Sequence, residues 1–409
     1  MMAGAARNFG EFRQHWRPLL GAFIGMGSAL SLNSYILSIF APYLIDEFGW
    51  SRSQWAMLGI VQILVLICLP VAGRLADLYG VKRVAAVGAL SFPAFLVAIT
   101  MMDGSIQTYL GIYIAQTIIG SVTTSTVYSR VVAAAFSIRR GLALGVVGSS
   151  PPLFAALGSP FITAFVEQNG WRAGYLVVAA FCAVCAVATL LLLPRHADEP
   201  GVAHATPRKR GSADYRAIAA MPVFWIMLVA AFLVNLPFAL ASSQLKMVVL
   251  DQGLTDGTAA LLVSAFAIGS IAGRVISGVA LDYLPSHLIA VICFGLPVIG
   301  LLMLASPWDG AAVVSVAIVL IGVSFGGEGD IIPYLITRYF SIAVYSTVLG
   351  LLAAAMGTAM AVGNAILAMT LATTNSFDLY LYIAAATAFI GSLLFLQLGR
   401  PQFQRKFPA

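Results

Sequence analysis

The residue with the clearest chemical demand in this chain is Arg274, within Ser264 to Asp282, SAFAIGSIAGRVISGVALD, an apolar run long enough to cross a bilayer. Asp282 lies eight residues further on, a helical rise of roughly 12 Å, so Arg274 falls near the middle of a ~30 Å hydrocarbon slab if Asp282 marks its edge. A guanidinium cannot shed its charge, and an unpaired charge at that depth costs several kcal/mol, so it requires a partner or a wet cavity. Its planar fork suits a carboxylate bound through two parallel hydrogen bonds. Matching acids occur in GGEGDIIPYLITRYF (326 to 340): Glu328 and Asp330 lie ~15 Å and ~12 Å of helical rise before Arg338. The shared depth suggests a cycle: one of these acids balances Arg274 when the site is empty, an incoming anion competes for the cation, and the displaced acid takes up a proton. Two residues apart, at ~100° each, the acids face different ways unless Gly326, Gly327 and Gly329 bend the helix. A plainer alternative makes Arg274 a structural arginine snorkelling to the cytoplasmic side, the role given to Arg74, and leaves the acids to neutralise Arg274 or Arg338.

The elements that would position these groups are membrane spans. Hydrophobic residues make up 60% of the 409 and charged ones 9%, which excludes a soluble domain. The net charge of +6 is scattered over alternate loops rather than gathered on one face, which argues against nucleic acid. Cys68, Cys182, Cys185 and Cys293 fall in apolar runs, so buried thiols are expected rather than a redox or metal pair. No HExxH and no GxxxxGK[ST] occurs, so neither a zinc protease nor direct ATP use is supported; no cofactor or metal is implied, and a transporter is expected rather than an enzyme. A passive channel is the remote alternative.

Twelve runs of about 20 residues are predicted to cross the membrane: 19–41, 55–74, 84–102, 106–131, 141–166, 173–194, 221–247, 258–280, 287–306, 311–336, 345–371 and 377–398. Positive charge gathers in the N-terminus, the even-to-odd loops and the tail (Arg74, Lys82, Arg83, Arg139, Arg140, Arg208 to Arg210, Arg400, Arg405, Lys406), which predicts that both termini are cytoplasmic. The expected division is an N-terminal six-helix bundle (1–194), a solvated linker (195–219) and a C-terminal six-helix bundle (220–409), in an all-α membrane protein.

The two halves repeat. EFGWSRSQWA (47–56) matches DQGLTDGTAA (251–260) at an offset of 204, with Ser51 and Thr255 placed to cap the following helices. GRLADLYG (73–80) matches GVALDYLP (278–285) at an offset of 205, through Gly73 with Gly278 and Asp77 with Asp282. FSIRRGLALG (136–145) matches FSIAVYSTVLG (340–350) at an offset of 204 with one slip. By this repeat the counterpart of Arg274 is Leu69, an asymmetry that a mere anchor does not require. Parallel repeats of this kind place a transport site near mid-membrane.

Gly73-Arg74-x-x-Asp77-x-x-Gly80-x-Lys82-Arg83 resembles the loop signature of the major facilitator superfamily. FGWSRSQW, RRGLALG, GWR (170–172) and Arg274-x-x-x-Gly278-x-x-x-Asp282 resemble its monocarboxylate carrier and oxalate:formate antiporter branch. The resemblance implies two pseudo-symmetric six-helix bundles, alternating access, and a helix-eight arginine, here Arg274, that binds a substrate carboxylate. It implies that Gly73, Arg74, Asp77, Gly80, Lys82 and Arg83 form a cytoplasmic gate. It also puts spans one, four, seven and ten around a cavity, which favours Asn33, Tyr128 and Asn235 as substrate contacts, with Ser270 a turn before Arg274. The chain departs from animal monocarboxylate carriers, which have a lysine in span one, where Asn33 or Ser34 stands here, and an acid where Ser270 stands. The expected function is proton-coupled symport of a small organic monoanion by a functional monomer in a bacterial inner membrane. The alternatives are anion exchange and efflux of uncharged metabolites.

Overall fold

A computed structural model of the chain describes residues 10–50, 58–195, 212–306 and 310–400. Among these there are helices and no strands. In chain order the helices are α1 (Trp16–Gly27), α2 (Asn33–Phe48), α3 (Leu58–Tyr79), α4 (Val81–Thr100), α5 (Ile106–Gly120), α6 (Ser125–Ala135), α7 (Arg140–Gly148), α8 (Ser150–Leu192), α9 (Ser212–Ala219), α10 (Pro222–Asn235), α11 (Phe238–Ser243), α12 (Leu245–Asp251), α13 (Asp256–Tyr283), α14 (Ser286–Leu304), α15 (Ala311–Tyr339), α16 (Tyr345–Thr374) and α17 (Asp378–Leu394).

Among the described residues, eight helical segments are long and apolar enough to cross a membrane, or nine if the bent pair Trp16–Gly27 and Leu30–Leu37 is one span. Three departures from the predicted runs have local causes. The fifth and sixth runs share α8, broken at Gly170, whose φ of +80° is open to glycine at little cost. The seventh run is divided after Asn235 by Pro237, and the Tyr380 hydroxyl donates to the Leu236 carbonyl at 2.9 Å. The fourth is interrupted by a 3-10 turn at Ser121–Thr123. The Ser51 cap and most of the linker, including Arg208 to Arg210, lie outside the described residues, as do Arg405 and Lys406. Thr255 does cap α13, its side chain accepting from the Thr258 N–H.

Two compact units emerge, and each takes in a short piece from the opposite half of the sequence. Unit 1 comprises 1–138, 146–208 and 342–351; unit 2 comprises 139–145, 209–341 and 352–409. Two carboxylates hold the exchanged pieces. In unit 1, Asp77 accepts from the Ser346 and Thr347 N–H groups at 3.2 and 2.7 Å and from the Thr347 hydroxyl at 2.6 Å. In unit 2, Asp282 accepts from the Gly141 and Leu142 N–H groups at 2.7 and 3.2 Å. Asp77 and Asp282 are repeat mates, and so are Gly141 with Ser346 and Leu142 with Thr347, each at an offset of 205. Each acid therefore sits on the positive N-terminal end of a helix, α16 in one unit and α7 in the other.

Unit 1 packs α8 against α1 and α4, over a core that includes Phe40, Phe92, Leu96, Tyr109 and Tyr175. At one end the two motif tryptophans, Trp50 and Trp171, both pack on Phe48. Trp171 Nε1 and Arg172 Nη1 both donate to Glu47, the latter at 2.7 Å, while Trp50 Nε1 donates to the Gly104 carbonyl at 2.8 Å. Arg172 lies over the Trp171 ring at 4.3 Å. The FGW and GWR segments are thus two sides of one clasp.

The hydrogen bond from Trp171 holds the Glu47 carboxyl below its ordinary value of 4.5; burial pulls the other way, and Arg172 adds to the lowering. A carboxyl with a lowered native pKa stabilises the fold above its unfolded value, and that contribution disappears as pH falls through the native value. The pair is substantially exposed, so its worth is under about 1 kcal/mol. In thermal melts of detergent-purified protein from pH 7 to 3, Glu47→Gln is expected to melt slightly lower than wild type at pH 7 and to converge with it at the acid end.

Candidate functional site

Unit 2 brings Arg274 and the acids together by a contact that only glycine permits. Helices α13 and α15 run parallel with a register of 56: Phe266 faces Gly322, Ser270 faces Gly326, and Arg274 faces Asp330. A Cβ on Gly326 would stand 1.8 Å from the Ser270 carbonyl oxygen, one on Gly322 2.6 Å from that of Phe266, and one on Gly273 2.0 Å from that of Val323. Backbone rests on backbone here, the small-residue packing used where no water drives helices together. The glycines of α15 therefore serve close approach, and the helix runs unbroken from Ala311 to Tyr339 rather than bending as the sequence allowed.

At the end of this ladder, Arg274 Nη1 lies 3.6 Å from Asp330 Oδ1, with the arginine side chain 17% exposed and the aspartate 1%. This is an ion pair without a hydrogen bond. Both Asp330 oxygens are buried and lack any hydrogen-bond partner among the described residues. Buried carboxylates are rarely left so, and such a group calls for an explanation. Gly329 makes room for the guanidinium, since a Cβ there would meet Nη1 at 2.9 Å, and Gly145 closes the other side, 3.3 Å from Asp330 Oδ2 on the same measure.

Glu328 faces elsewhere, as two residues of separation demand. It is buried and hydrogen-bonded to the Asn235 side chain at the end of α10, whose amide also donates to the Ala231 carbonyl at 2.9 Å. The charge of Arg274 acts on both acids. Of the predicted substrate and proton residues, Arg274, Ser270, Asp330, Glu328 and Asn235 thus form one cluster in unit 2. Asn33 and Tyr128 belong to unit 1. Each is buried, and Asn33 Nδ2 and the Tyr128 hydroxyl have no partner among the described residues. The Tyr128 ring fills the space left by Gly25.

The signature loop behaves differently from the expectation at one position. Arg74 is 9% exposed, so it does not snorkel to water. Lys82 donates to the Leu193 carbonyl at 3.1 Å and so closes the C-terminal end of α8. Gly73 lets backbones touch, a Cβ there falling 2.0 Å from the Ser346 carbonyl, and Gly80, at φ +84°, separates α3 from α4. Arg83 is exposed.

Sequence reasoning missed Arg130. Fully buried, it donates through Nη1 to Asp77 at 2.9 Å and to the Ala76 carbonyl at 2.9 Å. The rule applied to Arg274 would have found it, because Arg130 also sits inside an apolar run; placing that run's end at 131 made it look like an edge residue. Its repeat mate, at an offset of 204, is Tyr334, so the two aspartate caps differ in the charge behind them. The cysteines are free thiols, three of them buried, as expected.

The family model described as Major Facilitator Superfamily matches residues 22–348, and the chain belongs to that family of transporters. The chain is 24% identical over 412 residues to monocarboxylate transporter 4 of Rattus norvegicus, covering 94% of this chain and 82% of that protein. It is 28% identical over 206 residues to a probable actinorhodin transporter of Streptomyces coelicolor, covering 47% of this chain and 34% of that protein. The fold matches the crystal structure of the major facilitator transporter FucP in the outward conformation, with a TM-score of 0.75, 15% identity, and coverage of 95% of this chain and 98% of that one. The protein is an integral membrane transporter with the major facilitator fold.

Two glycine substitutions separate scaffold from site. Gly326→Val forces a Cβ into a carbonyl 1.8 Å away and is expected to abolish folded yield in size-exclusion chromatography. Gly329→Ala presses only on the movable end of Arg274, so the melting temperature is expected to stay within a few degrees while ligand affinity falls.

Proposed function

We propose that the protein carries a small organic monoanion of the monocarboxylate kind together with a proton, by alternating access. The observation that carries this reading is the Arg274–Asp330 pair, buried, 3.6 Å apart and without a hydrogen bond to either carboxylate oxygen. An arginine needed only for structure would be expected to spend its fork on its partner; this one keeps its donors clear of Asp330. A substrate carboxylate that takes both arms of the fork gains two charge-assisted hydrogen bonds that Asp330 does not make. Once its cation is shared, Asp330 is left in a site with no other compensating charge among the described residues, and a proton neutralises it. Release of the anion restores the pair, and Asp330 loses its proton to the side then open. Anion and proton therefore cross together.

Glu328, anchored by Asn235, is assigned a lesser part, that of adding negative potential around Arg274. Ser270, on the helix face toward Gly326, is assigned a contact with the substrate, and Asn33 and Tyr128 of unit 1 are assigned to it by the family pattern alone. A site with one central cation, Arg274, suits a monoanion better than a dianion, whose second charge would be left unbalanced. The likeness to the monocarboxylate transporter supports the substrate class. The bacterial actinorhodin relative supports the competing reading, export of a larger metabolite, over less than half the chain. We further infer an inner-membrane location with both ends in the cytoplasm, supported by where the arginines fall.

Uptake of radiolabelled lactate or acetate into proteoliposomes under an imposed pH gradient tests the proposal. Wild type is expected to accumulate the acid saturably. Arg274→Ala is expected to lose uptake by about a hundredfold or more, the worth of two charge-assisted hydrogen bonds, with Arg274→Lys intermediate. Asp330→Asn is expected to lose uphill accumulation while retaining counterflow exchange. Uptake undiminished in Arg274→Ala would favour a carrier for uncharged compounds, and pH-driven accumulation by Asp330→Asn would assign the proton elsewhere.

A further inference from the structure

A polar cavity lies in unit 2, at the end where α13 stops and α14 begins. Its volume is ≈ 560 Å³, and its lining includes Asp282, Tyr283, Ser286, His287, Tyr334 and Arg338. We infer that this pocket seats the phosphate of a membrane phospholipid, with an acyl chain running down the outside of α14.

The donors come from two elements. Pro285 caps α14 without a side-chain hydrogen bond, and its carbonyl takes the Leu288 and Ile289 N–H groups, so among the described residues the donors left at the start of this 19-residue helix are the N–H groups of the pocket-lining Ser286 and His287. Ser286 is 7% exposed and lines the cavity, and its hydroxyl makes no hydrogen bond among the described residues. Across from it, α15 supplies Tyr334 and the exposed Arg338, which forms no ion pair among the described residues. The His287 ring packs against Gly399, which fixes its position at the rim. An N-terminal helix end, a hydroxyl and a guanidinium converging on one cavity are the components of a phosphate site.

Charge balance agrees. Asp282 is the acid that faces the pocket, and both its oxygens are taken up by the N–H groups of Gly141 and Leu142. Near it, Arg140 donates to the Thr337 hydroxyl at 2.9 Å and Arg139 lies over the Tyr283 ring at 4.6 Å. Arg338 is a cation of the pocket lining itself, and Arg139 and Arg140 adjoin the segment that donates to Asp282. Basic pockets beside spans on the cytoplasmic side are where anionic headgroups bind.

The surface below the pocket decides between a lipid and a free anion. Leu284, Leu288, Ile292 and Ile299 are 55%, 41%, 61% and 53% exposed. Leu288 and Ile292 are one turn apart on α14 and make an apolar track leading directly from the headgroup pocket. A soluble phosphate has no use for such a track; a lipid tail fits it. The repeat also explains why the site is one-sided, because in unit 1 the place of Tyr334 is held by Arg130, which is buried and committed to Asp77.

The test is native mass spectrometry and thermal-shift titration of the full-length protein, delipidated in detergent, with phosphatidylglycerol, with diacylglycerol of the same chains, and with inorganic phosphate. Phosphatidylglycerol is expected to remain bound and to raise the melting temperature, whereas diacylglycerol and millimolar phosphate are not. Arg338→Gln is expected to weaken retention by roughly tenfold while melting like wild type in the absence of lipid. If that variant fails to fold, Ser286→Ala serves instead, with a smaller loss expected. Equal lipid retention by wild type and the variant overturns the assignment, as does phosphate that stabilises the protein as well as the lipid does.

Discussion

The structure of unit 2 depends on two helices that touch backbone to backbone. Because α13 and α15 are parallel and interlocked through Gly273, Gly322 and Gly326, every fourth residue of one is fixed against every fourth residue of the other. Arg274 and Asp330 stand one step beyond the glycines in that series. The placing of their backbones is thus set by the packing of carbonyls rather than by the attraction between the charges. The two side chains stand 3.6 Å apart without a hydrogen bond. The cost of burying an acid so poorly solvated is what makes the pair responsive to a competing anion and to protons.

The paired aspartates give the second organising constraint. Asp77 and Asp282 each cap the first turn of a helix that belongs, by sequence, to the other half. Their partners obey the same offset of 205 that relates the acids themselves, so the duplication extends from sequence to individual hydrogen bonds. Where the halves differ, function or regulation is the natural reading. Leu69 stands opposite Arg274 in the repeat, and Arg130 opposite Tyr334, so one half keeps its buried cation at mid-span and the other keeps it behind the cap.

Much of this was legible in the sequence, for reasons that differ by residue. Arg274, Glu328 and Asp330 were visible because charge inside an apolar run is costly anywhere, whatever the tertiary contacts. The caps by Asp77 and Asp282 were foreshadowed by the repeat, but their N–H partners were not, since a backbone donor leaves no mark on residue type. Arg74 was misjudged, and the Lys82 partner went unseen, for the same reason: a loop position does not disclose whether a carbonyl or another helix waits nearby. Of the two acids, α15 selects Asp330 for Arg274, and that selection follows only from the register of 56, which the glycines encode once their partners are known. Gly326, Gly327 and Gly329 left a local bend open because glycine permits both bending and close approach, and only a neighbouring helix decides between them.

The claim most exposed to contradiction is that anion binding and protonation of Asp330 are one event. Calorimetric titration of the purified transporter with a monocarboxylate, repeated in buffers of different ionisation enthalpy, counts the protons taken up on binding. Close to one proton per bound anion in wild type, falling to none in Asp330→Asn with binding retained, is the predicted result. Binding that takes up no proton in wild type, or the same number in both proteins, would contradict it.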